Sequence, residues 1–275
     1  MESKIVFGIA VLALIGCASA PGNSSGHAEL GTASLMLWPP PARSASAARD
    51  ESLCAPVALY ADPLLAQVFL AAEHTSDIAA ASRWIAQHPN AQLGAEISIS
   101  ELGSQHWDPS VESLLAVPDV LLTMNAHRPW AHQLAVAFAS APVAMMDAVQ
   151  RLRRRALLAG SLRSNGQQTV STDGEIISIE PTQPDVLYVP YYWPREAFGA
   201  WPWPAALPYS LSPPANVVFA GTPIAFGVPV NVTAVPWRWY HWDWRAHRLE
   251  PIESSTDRDR RDSSAESQTT NRRYR

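Results

Sequence analysis

Side chains that commonly catalyse reactions or bind metal ions are dispersed in this sequence rather than arranged at a recognised spacing. The eight histidines form no metal motif with cysteine or acidic residues, and His127 and His132 would face different sides of a helix. Glu73 and Asp77 are four residues apart, but their position fits solvated charges at a helix end better than an acid pair. No nucleophile motif surrounds Cys54, which has the usual context of a small buried cysteine. The sequence predicts no catalytic residue, no metal site and no cofactor.

A cluster of arginines in the second half of a predicted helix is the first candidate binding surface. Cations are favourable there because they interact with the negative end of the helix dipole. Arg151, Arg154 and Arg155 are candidate contacts for the phosphates of anionic lipid headgroups or of lipopolysaccharide. The alternative is a solvated basic face that has no ligand.

A run of tryptophans and arginines near the C-terminus is the second candidate binding surface. Its candidate contacts are Trp237, Arg238, Trp239, Trp242, Trp244 and Arg245. Flat aromatic faces beside cations suit stacking on sugar rings or contact with a membrane interface. The alternative is that the segment folds back and covers the domain, because four exposed tryptophans would promote aggregation. We expect the helical core to remain folded when residues 237–275 are removed.

The sequence around Cys17 indicates a covalent modification. The uncharged, mostly apolar run Ile5–Gly16 has the length of a signal-peptide core and is too short to span a bilayer. The following "LIGC" is similar to a bacterial lipobox, in which the cysteine receives a diacylglyceryl group and the new N-terminus is acylated, for example with palmitate. Cleavage after Ala20 would instead release a secreted chain, but Pro21 would then follow the cut and fits an extended substrate poorly.

Composition divides the chain into five segments. These are a lipoprotein signal peptide at 1–16, a Gly-, Ser- and Pro-rich flexible tether at 17–49, a helical plus β domain at 50–203, a Pro- and Trp-rich apolar extension at 204–252, and a disordered polar tail at 253–275. The formal net charge of −5 argues against a nucleic-acid partner. Glycines and prolines interrupt the apolar run at 216–235, which argues against a transmembrane helix.

Prolines mark the starts of the predicted helices. Asp62-Pro63 and Asp108-Pro109 have the arrangement of an N-cap followed by the first helical residue, and Ser76 is a further candidate N-cap. Additional helices start at Pro118, Pro129 and Pro142, and Gly160 ends the last of them. The period then changes to that of strands, with a hairpin at Asp173-Gly174 and a third strand in "DVLYVPYY". These signals predict an α+β fold, in which a compact orthogonal helical bundle precedes a small antiparallel sheet and an irregular Pro/Trp-rich C-terminal region.

An ordered series of motifs from Leu53 to Trp203 resembles a bacterial envelope family known only as domain of unknown function 3300. The motifs are "CAPVALYADPLLAQVFLAA", "AASRWIAQHP", "WDPSVESLLAVPDVLLTM", "VAMMDAVQRLR" and "ISIEPTQPDVLYVPYYWP". The resemblance implies a signal or lipoprotein leader and an α-then-β domain. It implies no reaction and no catalytic residues.

Together these features predict a lipid-anchored protein of the bacterial cell envelope, facing the periplasm from the outer membrane. The residue after Cys17 is Ala18 rather than Asp. By resemblance to bacterial lipoproteins, this favours the outer membrane over retention in the inner membrane. The predicted role is non-enzymatic binding or structural interaction. The predicted partners are the membrane, through the lipid, and a cell-wall glycan, a lipid headgroup or an envelope protein. The alternative is a hydrolase or other enzyme of envelope polymers, which requires a cleft with convergent polar groups and a perturbed acid or base.

Overall fold

The fold is taken from a computed structural model, which describes residues 45–88, 105–215, 217–232, 237 and 240–251. These ranges belong to one compact unit, 43–275. The signal peptide, Cys17, nearly all of the predicted tether and the polar tail beyond residue 251 lie outside the described residues. The first described helix begins at Ala45, within the segment that the sequence assigns to the tether, and buries Ala48.

Eight α-helices form the helical part of the described ranges. They are α1 (Ala45–Cys54), α2 (Asp62–Ala71), α3 (Thr75–Gln87), α4 (Pro109–Ser113), α5 (Pro118–Ala126), α6 (Arg128–Ser140), α7 (Pro142–Leu158) and α8 (Pro194–Ala197), with a 3₁₀ turn at Leu114–Ala116. Helices α2 to α7 pack around one apolar core with α1. None of the described helices combines the length and the apolarity that crossing a membrane requires.

Most of the predicted helix boundaries are confirmed, but α6 begins at Arg128, one residue before the predicted Pro129, and two predicted caps are wrong. Asp108 caps α4 by accepting a hydrogen bond from the Ser110 backbone N–H at 2.9 Å, and Gly160 follows α7 with a left-handed φ of 74°. The prediction that Asp62 caps α2 is wrong, because Ala61 occupies the cap position and the Asp62 carboxylate binds elsewhere in the core. Ser76 also does not cap, since α3 already begins at Thr75.

Four two-stranded antiparallel sheets account for the described strands, so the fold is α+β as predicted. The strands are β1 (Gln168–Asp173), β2 (Ile176–Pro181), β3 (Val186–Leu187), β4 (Pro190–Tyr192), β5 (Ile224–Phe226), β6 (Val230–Asn231), β7 (Tyr240–Asp243) and β8 (Arg248–Pro251), paired as β1–β2, β3–β6, β4–β5 and β7–β8. The predicted hairpin is confirmed, with Gly174 at a positive φ in its turn. The predicted third strand is split into β3 and β4, which pair with later strands rather than with β2.

A buried ion pair joins the helices to the two hairpins, β1–β2 and β7–β8. Arg153 of α7 is fully buried and contacts the Asp62 carboxylate of α2 at 2.6 Å. Its Nε, Nη1 and Nη2 atoms donate to three backbone carbonyls at 2.9 to 3.0 Å, two of them between α1 and α2 and one in β2. Trp244, which follows β7, places its ring 5.0 Å from the guanidinium and donates its indole N–H to Asp62 at 2.9 Å. Because a buried charge is costly without partners, these contacts set the positions of all the joined elements.

Three of the four C-terminal tryptophans are part of the core, in agreement with the interpretation that this segment folds back onto the domain. Trp237, Trp242 and Trp244 are buried, and the Trp242 ring packs edge-on against Phe69 of α2 and Phe138 of α6. Their faces are therefore not available to a sugar or a membrane. Removing residues 237–275 would uncover this packing, contrary to the expectation that the core is complete without them. Arg238 and Trp239 lie outside the described residues.

We predict that Trp244→Phe lowers the free energy of unfolding by about 2 kcal/mol, because it removes a hydrogen bond to a buried charge and leaves a smaller aromatic ring in place of the indole. Urea denaturation followed by circular dichroism measures the change. Trp193→Phe is the matched control, since the Trp193 side chain is exposed and not part of the buried ion pair. Equal stability of the two variants would contradict the assignment of Trp244 to the core.

Candidate functional site

A groove of about 570 Å³ lies between α7, the turn of the β1–β2 hairpin and the turn of the β7–β8 hairpin. It is open to solvent and has a mixed lining of charged, polar and apolar side chains. The lining residues are Met146, Asp147, Gln150, Arg151, Arg154, Glu175, Ile176, Trp244, Arg245 and His247. We call it the α7 groove, and it is the candidate functional site.

Two side chains of the β7–β8 turn hold one wall of the α7 groove. His247 Nε2 lies 3.1 Å from the Asp147 carboxylate of α7, and Arg245 pairs with Asp173 at the end of β1. His247 has a left-handed φ of 52°, an uncommon conformation for a residue with a side chain. The turn is therefore held on both sides, by α7 and by the β1–β2 hairpin.

The opposite wall comes from successive turns of α7. Arg151 and Arg154 are three residues apart and so lie on neighbouring positions of one helix face. Arg154 Nη2 donates to the backbone carbonyl of Glu175 at 3.0 Å, while the Glu175 carboxylate is 3.8 Å away. The Arg151 Nε atom donates at 2.6 Å to Glu51, which is not part of the groove lining.

The floor of the α7 groove is fixed by the pairing of α7 with β2. The side-chain amide of Gln150 donates to the Ile177 carbonyl at 3.1 Å and accepts from the Ile177 N–H at 2.8 Å. Trp244 is buried, with its ring 5.0 Å from the Arg153 guanidinium and stacked on Trp242 with centroids 5.0 Å apart. Among the described residues that line the groove, this one indole is therefore not available for stacking on a sugar ring.

A second buried carboxylate lies behind the α7 groove. Glu51 of α1 is fully buried and accepts hydrogen bonds from Arg151, from Arg155 and, at 2.5 Å, from the Trp203 indole. Arg155 also lies over the Trp201 ring, 5.2 Å from its centroid. Burial by itself would raise the pKa of Glu51, but the hydrogen bonds and the arginine charges hold that pKa below its usual value. This cluster joins α1, α7 and the "WPWP" segment.

The predicted arginine cluster is divided among three environments. Arg151 and Arg154 line the α7 groove. Arg155 contacts Glu51 and Trp201 outside the groove. Arg153 is buried in the core, where it pairs with Asp62. Arg245, predicted from the tryptophan run, does line the groove. Arg155 is therefore not among the residues that line the groove.

Sequence reasoning missed Asp147, Gln150 and His247. Each is an isolated polar residue with no motif around it, and each becomes a groove residue only through a partner about 27 or 100 positions away. Cys54 is fully buried, and desolvation raises the pKa of its thiol. Within the described ranges, no three His, Cys, Asp or Glu side chains gather as a metal-binding group.

Comparisons with known proteins identify relatives of this chain. The sequence profile of a family described as "Protein of unknown function (DUF3300)" matches residues 46–275. The chain is 33% identical over 232 residues to a protein of Escherichia coli (strain K12) described as "Uncharacterized protein YacH". That alignment covers 72% of this chain and 37% of the relative, so the chain spans little more than a third of the relative's length. No solved structure matches the chain.

We predict that Glu51→Gln destabilises the protein by about 3 kcal/mol at pH 7, because two guanidinium groups lose a buried counter-ion. The folded-state pKa of Glu51 is lowered from 4.5, so its contribution is present above that pH and is lost as the pH falls below it. The stability difference between wild type and variant should therefore shrink below about pH 4.5. Urea unfolding across this pH range measures it.

The exposed Glu196→Gln is the control for the loss of one acidic charge. A difference between wild type and Glu51→Gln that stays constant with pH would contradict the ionised state of Glu51.

Proposed function

The chain belongs to the DUF3300 family of proteins of unknown function, and we propose that it is a lipid-anchored, non-enzymatic interaction module of the bacterial cell envelope. The α7 groove is the surface through which the module binds its partner. The lipid on Cys17 holds the domain at the periplasmic face of the outer membrane.

The observation that carries a binding role is the state of the buried carboxylates. Catalytic acids and bases are commonly free to exchange a proton and have a pKa near the working pH. Asp62 and Glu51 are instead paired with arginines and accept indole N–H groups. Their charge is used to join segments of the fold, which leaves the open α7 groove for recognition.

The N-terminal sequence supports the anchor. A thioether-linked diacylglyceryl group with an N-terminal acyl chain provides more than one hydrocarbon chain, as stable anchoring requires. The Gly-, Ser- and Pro-rich sequence between Cys17 and Ala45 has the composition of a flexible linker.

We predict that Cys17→Ser moves the protein from the membrane fraction to the soluble periplasmic fraction, because the acceptor thiol is lost. Detergent-free fractionation with immunoblotting measures the distribution, and mass spectrometry of the N-terminal peptide reports the lipid. Cys54→Ala should leave the protein in the membrane fraction. Retention of Cys17→Ser in the membrane, or an unmodified N-terminus at Pro21, would contradict the anchor.

The alternative function, a hydrolase of envelope polymers, is favoured by one contact. A histidine held by a carboxylate beside a groove is the arrangement of a general base, and His247 with Asp147 has this form. If this alternative holds, the purified protein releases soluble fragments from isolated cell walls, and His247→Asn abolishes the release. If chromatography detects no released fragment, the hydrolase alternative is contradicted and the binding role stands.

A further inference from the structure

We propose that the α7 groove binds a phosphate group of its envelope ligand between the guanidinium groups of Arg154 and Arg245. This inference rests on the proposed interaction role and specifies the ligand chemistry. The two arginines approach from different elements, one from α7 and the other from the β7–β8 turn. A phosphate offers several acceptor oxygens and can bridge two planar guanidinium groups.

Arg154 is oriented by backbone rather than by its acidic neighbour. The Glu175 carbonyl accepts its Nη2 hydrogen bond at 3.0 Å, whereas the Glu175 carboxylate is 3.8 Å away and 92% exposed. The Arg154 side chain is itself 42% exposed. A ligand phosphate can therefore replace the carboxylate while the carbonyl still positions the guanidinium.

Arg245 has a similarly replaceable partner. Its contact with Asp173 joins two exposed side chains, 69% and 75% accessible. Exposed ion pairs contribute little because water and salt screen them, and both side chains lose conformational freedom in forming them. Asp173 and Glu175 lie at the tip of one hairpin and are the exposed counter-ions of the two arginines, which a ligand phosphate would replace.

The remaining charges that face the groove are one cation and one carboxylate. Arg151 adds a third cation, anchored by its Nε on Glu51. The Asp147 carboxylate is in contact with His247, which compensates it when the imidazole is protonated. The charged lining therefore comprises three arginines and two acids, with Asp173 as a third acid outside the lining.

The apolar part of the described lining is not suited to ring stacking. Trp244 is buried against Arg153 and Trp242, so Met146 and Ile176 are the main apolar side chains left to contact the uncharged part of a ligand. Affinity must then come from the charged walls. This separates the groove from an aromatic sugar site and favours a phosphate-bearing group.

The test measures pyrophosphate binding to the full chain by isothermal titration calorimetry. The Cys17→Ser background removes the lipid, so that the same protein serves for vesicle sedimentation. We expect saturable binding that weakens at least about tenfold in Arg154→Gln/Arg245→Gln, since a bridged guanidinium pair is lost. We expect Asp173→Asn/Glu175→Gln to bind several-fold more tightly, because the competing anions are removed.

The matched control is Arg163→Gln/Arg195→Gln, which removes two exposed arginines outside the groove and changes the net charge equally. Binding within about twofold of wild type in this control supports a specific site rather than a general charge effect. No saturable binding, or an equal loss in both arginine pairs, would overturn the proposal. Either result leaves the outcome of the Cys17 fractionation, and with it the anchor, unaffected.

Vesicles identify the source of the phosphate. The protein is sedimented with phosphatidylcholine vesicles that contain or lack phosphatidic acid. Sedimentation that requires phosphatidic acid and the groove arginines supports the proposal with a lipid headgroup as ligand. Pyrophosphate binding without sedimentation supports it with a soluble or glycan-borne phosphate.

Discussion

One buried guanidinium, that of Arg153, determines how the helices and hairpins of this protein fit together. A desolvated cation is tolerated only where a counter-ion and acceptors surround it. Arg153 meets this condition by taking its partners from four places in the chain, namely the α1–α2 connection, Asp62 of α2, Ile177 of β2 and Trp244 after β7. A shift of any of these segments would leave a charge or a carbonyl unpaired, so they are held in one arrangement.

A second buried carboxylate, that of Glu51, is paired with arginines of helix α7. Arg151 and Arg155, four residues apart on one face, share Glu51 of α1, and this cluster also takes the Trp203 indole. Arg153 lies between them in sequence and points into the core, while Arg154 reaches the α7 groove. Four arginines within five residues thus serve two buried ion clusters and one open surface, because helical geometry sends consecutive side chains in different directions.

This division of charge connects the fold to the proposed function. The buried carboxylates of Glu51 and Asp62 are paired with arginines and accept hydrogen bonds from indoles. An acid held in this way is a poor proton shuttle. The charges that can be exchanged are at the groove, where the Arg154 and Arg245 pairs are exposed and screened. The inner ion pairs make the framework rigid, and the outer ones provide a surface whose partners can be replaced.

The sequence by itself determined the features that depend on neighbouring residues. Pro118 and Pro142 start helices, Pro129 is the second residue of another, Asp108 caps α4, and Gly174 forms a hairpin turn, because dihedral preference and capping act within a few positions. The tertiary structure alone decided which distant groups meet. Asp62 has the local pattern of an N-cap, yet it binds Arg153 and Trp244, 91 and 182 positions away. The sequence around Trp244 is compatible with an exposed or a buried side chain. Long-range pairing of buried charges resolves such choices, since its free energy depends on desolvation in the assembled core and not on local spacing.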